Sequence, residues 1–221
     1  MRLNLKIFMH EFKKLSIIVP IFNERKTIPV LLSALRKTEL PFEKDIILID
    51  DGSTDGSREI LKALESEYRV ILLDKNRGKG FAIRKGFEVA TGDMVIIQDA
   101  DMEYDPAEYP IVLKPILDGH ADVVYGSRFV TAHPRRVLYF PHYLANQFVT
   151  FLSNIFTGLN LSDMETGFKA FTEKAVKEAM RILKPGGVLA ISTPLEEAKE
   201  QGACDKERHL WSFSKQDMRE I

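Results

Sequence analysis

The chain reads as an α/β protein: a single main domain on an open, mostly parallel sheet with helices on both faces, followed by a short α/β tail. Three observations predict this. Short β-branched runs alternate with helical patterns along the first hundred residues. The runs end in polar, acidic turns, and the spacing of each run from the next leaves room for a crossover helix, which makes the strands parallel.

Ser16-Ile-Ile-Val-Pro20 is the first run and ends at Asn23-Glu24. Ile28, Leu31, Leu32 and Leu35 follow at i, i+3, i+4 and i+7, the stripe of an amphipathic helix. Asp45-Ile-Ile-Leu-Ile49 is the second run, closed by Asp50-Asp51-Gly52-Ser53 and followed by a shorter stripe of Ile60, Leu61 and Leu64. Val70-Ile-Leu-Leu73 ends at Asp74, and Met94-Val-Ile-Ile97 leads into Asp99-Ala100-Asp101. Ligands of such sheets bind beyond the carboxyl ends of the strands, so Glu24, Asp51 and the pair Asp99 and Asp101 are expected to converge on one crevice. Acidic residues at one strand end are equally explained as helix caps, and Ser53, Asp55 and Ser57 carry that reading. Acidic ends on three strands are harder to explain that way.

Asp99 and Asp101 lie one residue apart, so an extended chain keeps both carboxylates on one side and within reach of one hard cation. Mg²⁺ takes a few carboxylates and completes its octahedron with phosphate oxygens and water, which suits a nucleotide diphosphate.

Five motifs in order resemble family-2 glycosyltransferases: Ser-Ile-Ile-Val-Pro-Ile-Phe-Asn-Glu (16–24), Asp-Asp-Gly-Ser-Thr-Asp-Gly-Ser (50–57), Asn-Arg-Gly-Lys-Gly (76–80), Gln-Asp-Ala-Asp-Met-Glu (98–103) and Tyr-Gly-Ser-Arg-Phe (125–129). The stretch from Arg136 through Asn160 to Asp163-Met-Glu-Thr-Gly-Phe-Lys-Ala-Phe171 narrows the likeness to the branch of dolichyl- and polyprenyl-phosphate mannose and glucose synthases. The resemblance implies a GT-A-like, Rossmann-type domain over residues 15–172, preceded by an N-terminal extension, 1–14. It also implies site residues. Pro20, Phe22 and Glu24 would border the nucleoside and Asp51 the base or ribose; the family aromatic at position 22 is often Tyr, so Phe22 lacks a hydroxyl. Asp99 and Asp101, with Ala100 between them and Glu103 as a third oxygen ligand, would hold Mg²⁺ or Mn²⁺ against the diphosphate. Arg128 would neutralise phosphate charge through paired donors, and Lys79 would add a second cation near the donor, its alternative being a solvated residue in a helix-entry turn.

A lipid monophosphate acceptor is already ionised near neutral pH, its second pKa lying at roughly 6, so no strong general base is required. A hydroxyl acceptor would need one, and Asp163 is the residue for it; with a phosphate acceptor Asp163 positions, and its simplest alternative is a polar cap before Met164. Between Val137 and Leu161 the chain is rich in Phe, Leu, Tyr and Ile but too polar to span a bilayer, which takes about 20 mostly apolar residues. Phe148, Phe151, Leu152, Ile155 and Phe156 form a helical stripe that either lies in a membrane interface, with Arg135-Arg136 on anionic headgroups, or packs on the sheet.

With 221 residues, 45% apolar, and a net charge of −1, the chain can bury one sizeable core and has no basic excess that would select nucleic acid. Cys204 is alone, which favours a reducing compartment, and residues 1–14 lack the apolar region of a signal peptide. The expected location is cytoplasmic, peripheral on the cytosolic membrane face.

Residues 173–221 depart from the synthase pattern. Ala179-Met-Arg-Ile-Leu-Lys-Pro-Gly-Gly-Val-Leu-Ala-Ile-Ser-Thr-Pro194, then His209 to Arg219, resembles the late portion of class I S-adenosylmethionine-dependent methyltransferases, without a glycine-rich cofactor loop of that family. A helix over Thr172–Leu183 and a strand over Val188–Ser192 would let this tail dock on the main sheet. His209 and Trp211 have no partners at metal-ligand spacing and read as structural. The expected function is metal-dependent transfer of a hexose from a GDP- or UDP-sugar to a polyprenyl phosphate, with inversion as the resemblance implies. The alternatives are a donor-binding remnant that lacks a complete acceptor site and a methyltransferase-related protein.

Overall fold

The four apolar runs become four parallel strands: β1 (Lys14–Ile21), β2 (Glu43–Asp50), β3 (Arg69–Leu72) and β4 (Met94–Ile97). The computed structural model describes residues 12–127, 140–158, 160–164 and 166–182. Two further strands, β5 (Val123–Tyr125) and β6 (Lys169–Thr172), complete a six-stranded sheet in the order β3-β2-β1-β4-β6-β5. β6 runs antiparallel to both neighbours, so β5 again points with β1–β4. The expected mostly parallel sheet is present, with one reversed strand between β4 and β5.

Helices α1 (Ile28–Lys37), α2 (Ser57–Ala63), α3 (Lys79–Val89), α4 (Tyr109–Leu117), α5 (Phe140–Thr157) and α6 (Glu173–Ile182) connect and cover the strands. Alternation along β1 divides the core. Leu15, Ile17, Val19 and Ile21 face α1 and α4, against Ile28, Leu31, Leu35, Tyr109, Leu113 and Ile116. Ile18 joins Ile47, Ile49, Val95 and Ile97 on the other face, under Ala82, Ile83 and Phe87 of α3 and Val176 of α6. Burying one such aliphatic side chain contributes about 1.5–3 kcal/mol, so α1, with Ile28, Leu31, Leu32 and Leu35 all buried, is held by its stripe.

The first helix of the tail, α6, packs on β6 and β4, and its Glu173 N–H donates to the Asp93 carbonyl at 2.9 Å. The expected strand 188–192, together with His209 and Trp211, lies outside the described residues, as do residues 1–11. Among the described residues no helix is long and apolar enough to cross a membrane.

Candidate active site

The register of the parallel strands decides where the acidic turns lie. Ile21 stands opposite Asp50 and Ile18 opposite Ile97, while the Asp51 N–H donates to the Ile21 carbonyl and the Gln98 N–H to the Ile18 carbonyl. Glu24, Asp51 and Asp99 therefore leave three adjacent strands, β1, β2 and β4, at the same carboxyl rim.

The loops after β1 and β2 are bound to each other. The Asn23 and Glu24 amides donate to the hydroxyls of Ser53 and Ser57, the Arg25 amide donates to Asp55, and the Thr54 amide donates to Asn23. These bonds hold Asn23 in the left-handed region at φ 58°, a conformation that costs energy outside glycine and asparagine. Ser53 and Ser57 thus brace the two loops rather than cap α2, whose N-cap is Gly56 without a side-chain cap bond; of the three expected caps only Asp55 accepts an amide at the start of α2, that of Ser57. Glu24 sits at the start of α1, where its carboxylate accepts the Thr27 hydroxyl at 2.5 Å. Pro20 is buried within β1, and Phe22 stands exposed just past it.

Asp51 is buried, and its two oxygens each accept a backbone amide at 2.8 Å, from Arg77 and Gly78. Burial pushes its carboxyl above the ordinary value; the two amides pull the other way, and neighbouring Asp50 adds to the rise. The close approach of the loops depends on Gly52, at φ 75°: a Cβ there would lie 2.5 Å from the Asn76 nitrogen.

The residue after that amide pair is Lys79, the first of α3, whose ammonium lies 2.5 Å from Asp99 Oδ1. Asp51 thus fixes the 77–78 backbone, and this backbone sends Lys79 across to the turn after β4. Lys79 stands at a helix entry, as its alternative reading has it, and its 30% exposed side chain meets a buried carboxylate there. Asp99 is backed by Gly167, where a Cβ would fall 2.6 Å from Asp99 Oδ2 and 2.3 Å from the Tyr104 ring. The Gly167 amide donates to the Tyr104 hydroxyl, and the buried Gln98 amide bridges the carbonyls of Asp99 and Tyr104 while accepting the Tyr109 hydroxyl. Gln98 and Tyr109 carry no motif for bracing in the sequence, and this role was not legible there.

Asp101 is half-buried, and its Oδ1 accepts the Glu103 amide at 2.9 Å; Glu103 is exposed, and Met102 between them sits at φ 65°. Ala100 turns its methyl into the core, so its side chain does not line the crevice. Among the described residues no three metal-ligating side chains come together, since Asp99 faces Lys79 and Asp101 folds back on its own turn. The donor set still fits a hard divalent cation: two carboxylates, Asp101 and Glu103, are offered at an accessible turn, and substrate oxygens supply the remainder of such a shell. Arg128 lies outside the described residues.

Asp163, expected on the acceptor side, is 1% exposed and accepts the Asn146 amide at 2.9 Å. Asn146 in turn accepts the Thr150 hydroxyl, Thr150 accepts the Met164 amide, and Asn154 pairs with both backbone groups of Leu161. Asn146, Thr150 and Asn154 recur at i, i+4 and i+8, so α5 turns a polar stripe inward. Its aromatic stripe points out: Phe148 is 63% exposed, Phe151 59% and Phe156 84%. Of the expected stripe Phe148, Phe151, Leu152, Ile155 and Phe156, Leu152 is half-buried and the other four are exposed, so the expectation that these four pack on the sheet is corrected.

A mostly parallel sheet with an acidic turn after its fourth strand is the GT-A type of glycosyltransferase scaffold, and solved structures share it. Glucosyl-3-phosphoglycerate synthase from Mycobacterium tuberculosis, crystallised with Mn²⁺, UDP-glucose and phosphoglyceric acid, superposes with a TM-score of 0.57 at 20% identity, over 77% of this chain and 60% of that one. Residues 1–349 of S. aureus TarS give 0.51 at 24% identity, over 76% and 49%. Residues 16–179 match the family model described as "Glycosyl transferase family 2", and the chain belongs to that family. Among curated relatives, the undecaprenyl-phosphate 4-deoxy-4-formamido-L-arabinose transferase of Yersinia enterocolitica is 34% identical over 178 residues, 77% of this chain and 52% of the relative. The enzyme of the same name from Aeromonas hydrophila is 40% identical over 120 residues, 52% of this chain and 36% of the relative. The chain spans about half the length of the Yersinia relative and about a third of the Aeromonas one.

Proposed function

We propose that this chain transfers a hexose from a GDP- or UDP-sugar to a polyprenyl phosphate, with a divalent cation and with inversion. The observation that carries the reading is the acidic rim, in which Asp51 and Asp99, at the ends of β2 and β4, are connected through the 77–78 backbone and Lys79 at the start of α3. The names of the relatives support the lipid phosphate as acceptor, and the Mn²⁺ and UDP-glucose in the mycobacterial structure support the donor class and the metal.

Glu24, Phe22 and Pro20 border the nucleoside, and Asp51 holds the 77–78 loop against it. Asp99 and Asp101, with Glu103, would hold Mg²⁺ or Mn²⁺, which would supply Lewis-acid stabilisation of the leaving diphosphate. An ionised oxygen of the acceptor phosphate attacks the anomeric carbon, the carbon–oxygen bond to the diphosphate breaks, and the nucleoside diphosphate leaves with that electron pair. Lys79 and Arg128 meet the charge that develops on it. Asp163, locked to α5, positions the acceptor side. The outward aromatic face of α5 lies in the headgroup region of a membrane, on its cytosolic side, with Arg135 and Arg136 toward anionic lipid.

Titration of UDP- and GDP-sugars with Mn²⁺, followed by thermal shift and calorimetry, tests the donor site, because a ligand of the folded form raises apparent stability by mass action. One nucleotide series is expected to stabilise the protein only with metal present. Asp101→Ala is expected to weaken that binding by about a hundredfold or more, roughly 2.7 kcal/mol. Unchanged affinity would overturn the metal assignment.

A further inference from the structure

Under the proposed function Asp99 answers to two cations, and only one of them belongs to the chain. The Lys79 ammonium lies 2.5 Å from Asp99 Oδ1, and that oxygen is fully buried, with no hydrogen-bond partner among the described residues. The ion pair is what meets its charge. The carboxylate cannot back away, because Gly167 is packed behind Oδ2 so closely that a Cβ there would come within 2.6 Å. A divalent cation that takes Asp99 at Oδ1 must therefore displace the ammonium, since two cations at one carboxylate oxygen repel each other.

The placement of Lys79 serves this contact and not its helix. It is the first residue of α3, where the helix dipole favours an anion, and no acidic residue stands in that first turn. Its backbone follows directly on the two amides that Asp51 holds, those of Arg77 and Gly78. Its side chain, by contrast, is partly exposed and runs along a flexible four-carbon stem, so the ammonium can leave while its backbone stays.

Leaving has a condition. Removing one partner of a pair leaves the other as an uncompensated charge, and here that charge is on a buried carboxylate. Lys79 therefore moves off when another cation reaches Asp99 and another anion is offered to the ammonium. A metal ion bound to a nucleoside diphosphate brings both, the ion for Asp99 and phosphate oxygens for Lys79. A metal ion alone brings only the first. The neighbouring carboxylates do not make up the difference: Asp101 accepts the Glu103 amide, and among the described residues no three metal-ligating side chains come together.

We propose that Lys79 is a built-in counter-ion that guards Asp99 against metal alone and releases it when cation and nucleoside diphosphate arrive together. The inference rests on the metal-dependent donor reading above and adds to it an order of events. Metal and nucleotide bind as one unit, and by linkage each raises the affinity of the other by the same factor.

Mn²⁺ binding to the full chain is measured by calorimetry without nucleotide and with saturating UDP or GDP, corrected for the binding of Mn²⁺ to nucleotide in protein-free solution. Electron paramagnetic resonance counts the free Mn²⁺ in the same samples. With one of the two nucleotides the wild type is expected to bind Mn²⁺ at least about tenfold more tightly than without. Lys79→Met and Lys79→Gln are expected to bind Mn²⁺ alone about tenfold or more tightly than the wild type does, and the gain from nucleotide to shrink by a similar factor. Lys79→Arg keeps the charge and is expected to stay within about threefold of the wild type for Mn²⁺ alone. A lysine that merely braced the loop would, on removal, lower metal affinity or leave it unchanged. Affinity for Mn²⁺ alone at or below the wild-type value in the folded uncharged variants would thus overturn the inference, and so would a wild type that binds Mn²⁺ equally well with and without nucleotide. A wild type that binds no Mn²⁺ with either nucleotide would instead remove the metal-dependent donor reading itself and the inference with it.

Discussion

The two halves of the crevice are built on opposite principles. On the donor side, α1 and α3 turn their aliphatic faces to the sheet, and the polar residues of the turns meet at the rim, where carboxylates hold backbone amides. On the acceptor side, α5 turns its amides and hydroxyls inward, to Asp163, Met164 and Leu161, and presents phenylalanines outward. The first arrangement is that of a protein in water. Under the proposed function the second serves a helix whose outer neighbour is lipid, and the difference locates the boundary between the water-soluble and lipid-linked substrates inside one domain.

That contrast can be broken most directly on α5. Replacing Phe148, Phe151 and Phe156 together by Ser is expected to lower adsorption to anionic vesicles by more than about tenfold in a cosedimentation assay. The melting temperature should move little, because exposed substitutions typically stay within about 0.5 kcal/mol. Unchanged adsorption would make the two halves alike. A smaller effect sharpens the junction between them. Gly167→Ala drives a Cβ into Tyr104 and Asp99, and overpacking of this kind costs about 1–3 kcal/mol, which denaturant unfolding would register as a lower midpoint. It should also weaken donor binding, since Asp99 must shift; a fully stable variant would show that the halves are not in contact there. The smallest expected effect lies wholly in the donor half. Burial raises the Asp55 carboxyl, but the hydroxyl and amide of Ser57 and the Arg25 amide outweigh it and hold the group below its ordinary value. Its contribution is therefore present above the ordinary carboxylate range and lost as pH falls through the lower folded value. Asp55→Ala should reduce stability slightly at neutral pH and not at all at strongly acidic pH, read as a converging pair of melting curves.

The donor half was legible because parallel strands covered on both faces are written as apolar runs, and the turns after them are short. The β-branched runs at 16–20, 45–49, 70–73 and 94–97 all fall on observed strands, and the rim follows from their direction. The stripe on α5 was also legible as a helix face, but periodicity states which residues share a face and not which way that face points; the inward role of Asn146, Thr150 and Asn154 is set by what the 160–164 segment offers them. β6 was hidden for a different reason. Lys169-Ala-Phe-Thr172 is short, begins with a charge and is reversed, so neither period nor alternation marks it, and a buried lysine contradicts the usual inside–outside rule. Asp99 shows what motif reading leaves out: the sequence pairs it with Asp101, and the fold in addition sets its carboxylate against Lys79.

The order of the strands has one more consequence. Among the described residues the two long strands, β1 and β2, are interior, and the positions at the margins go to β3, with four residues, and β5, with three. Arg69 places a charge at the start of one margin. Brief borders, one of them opened by a charge, give a neighbouring molecule little backbone to extend and so guard the sheet against fibrous self-association.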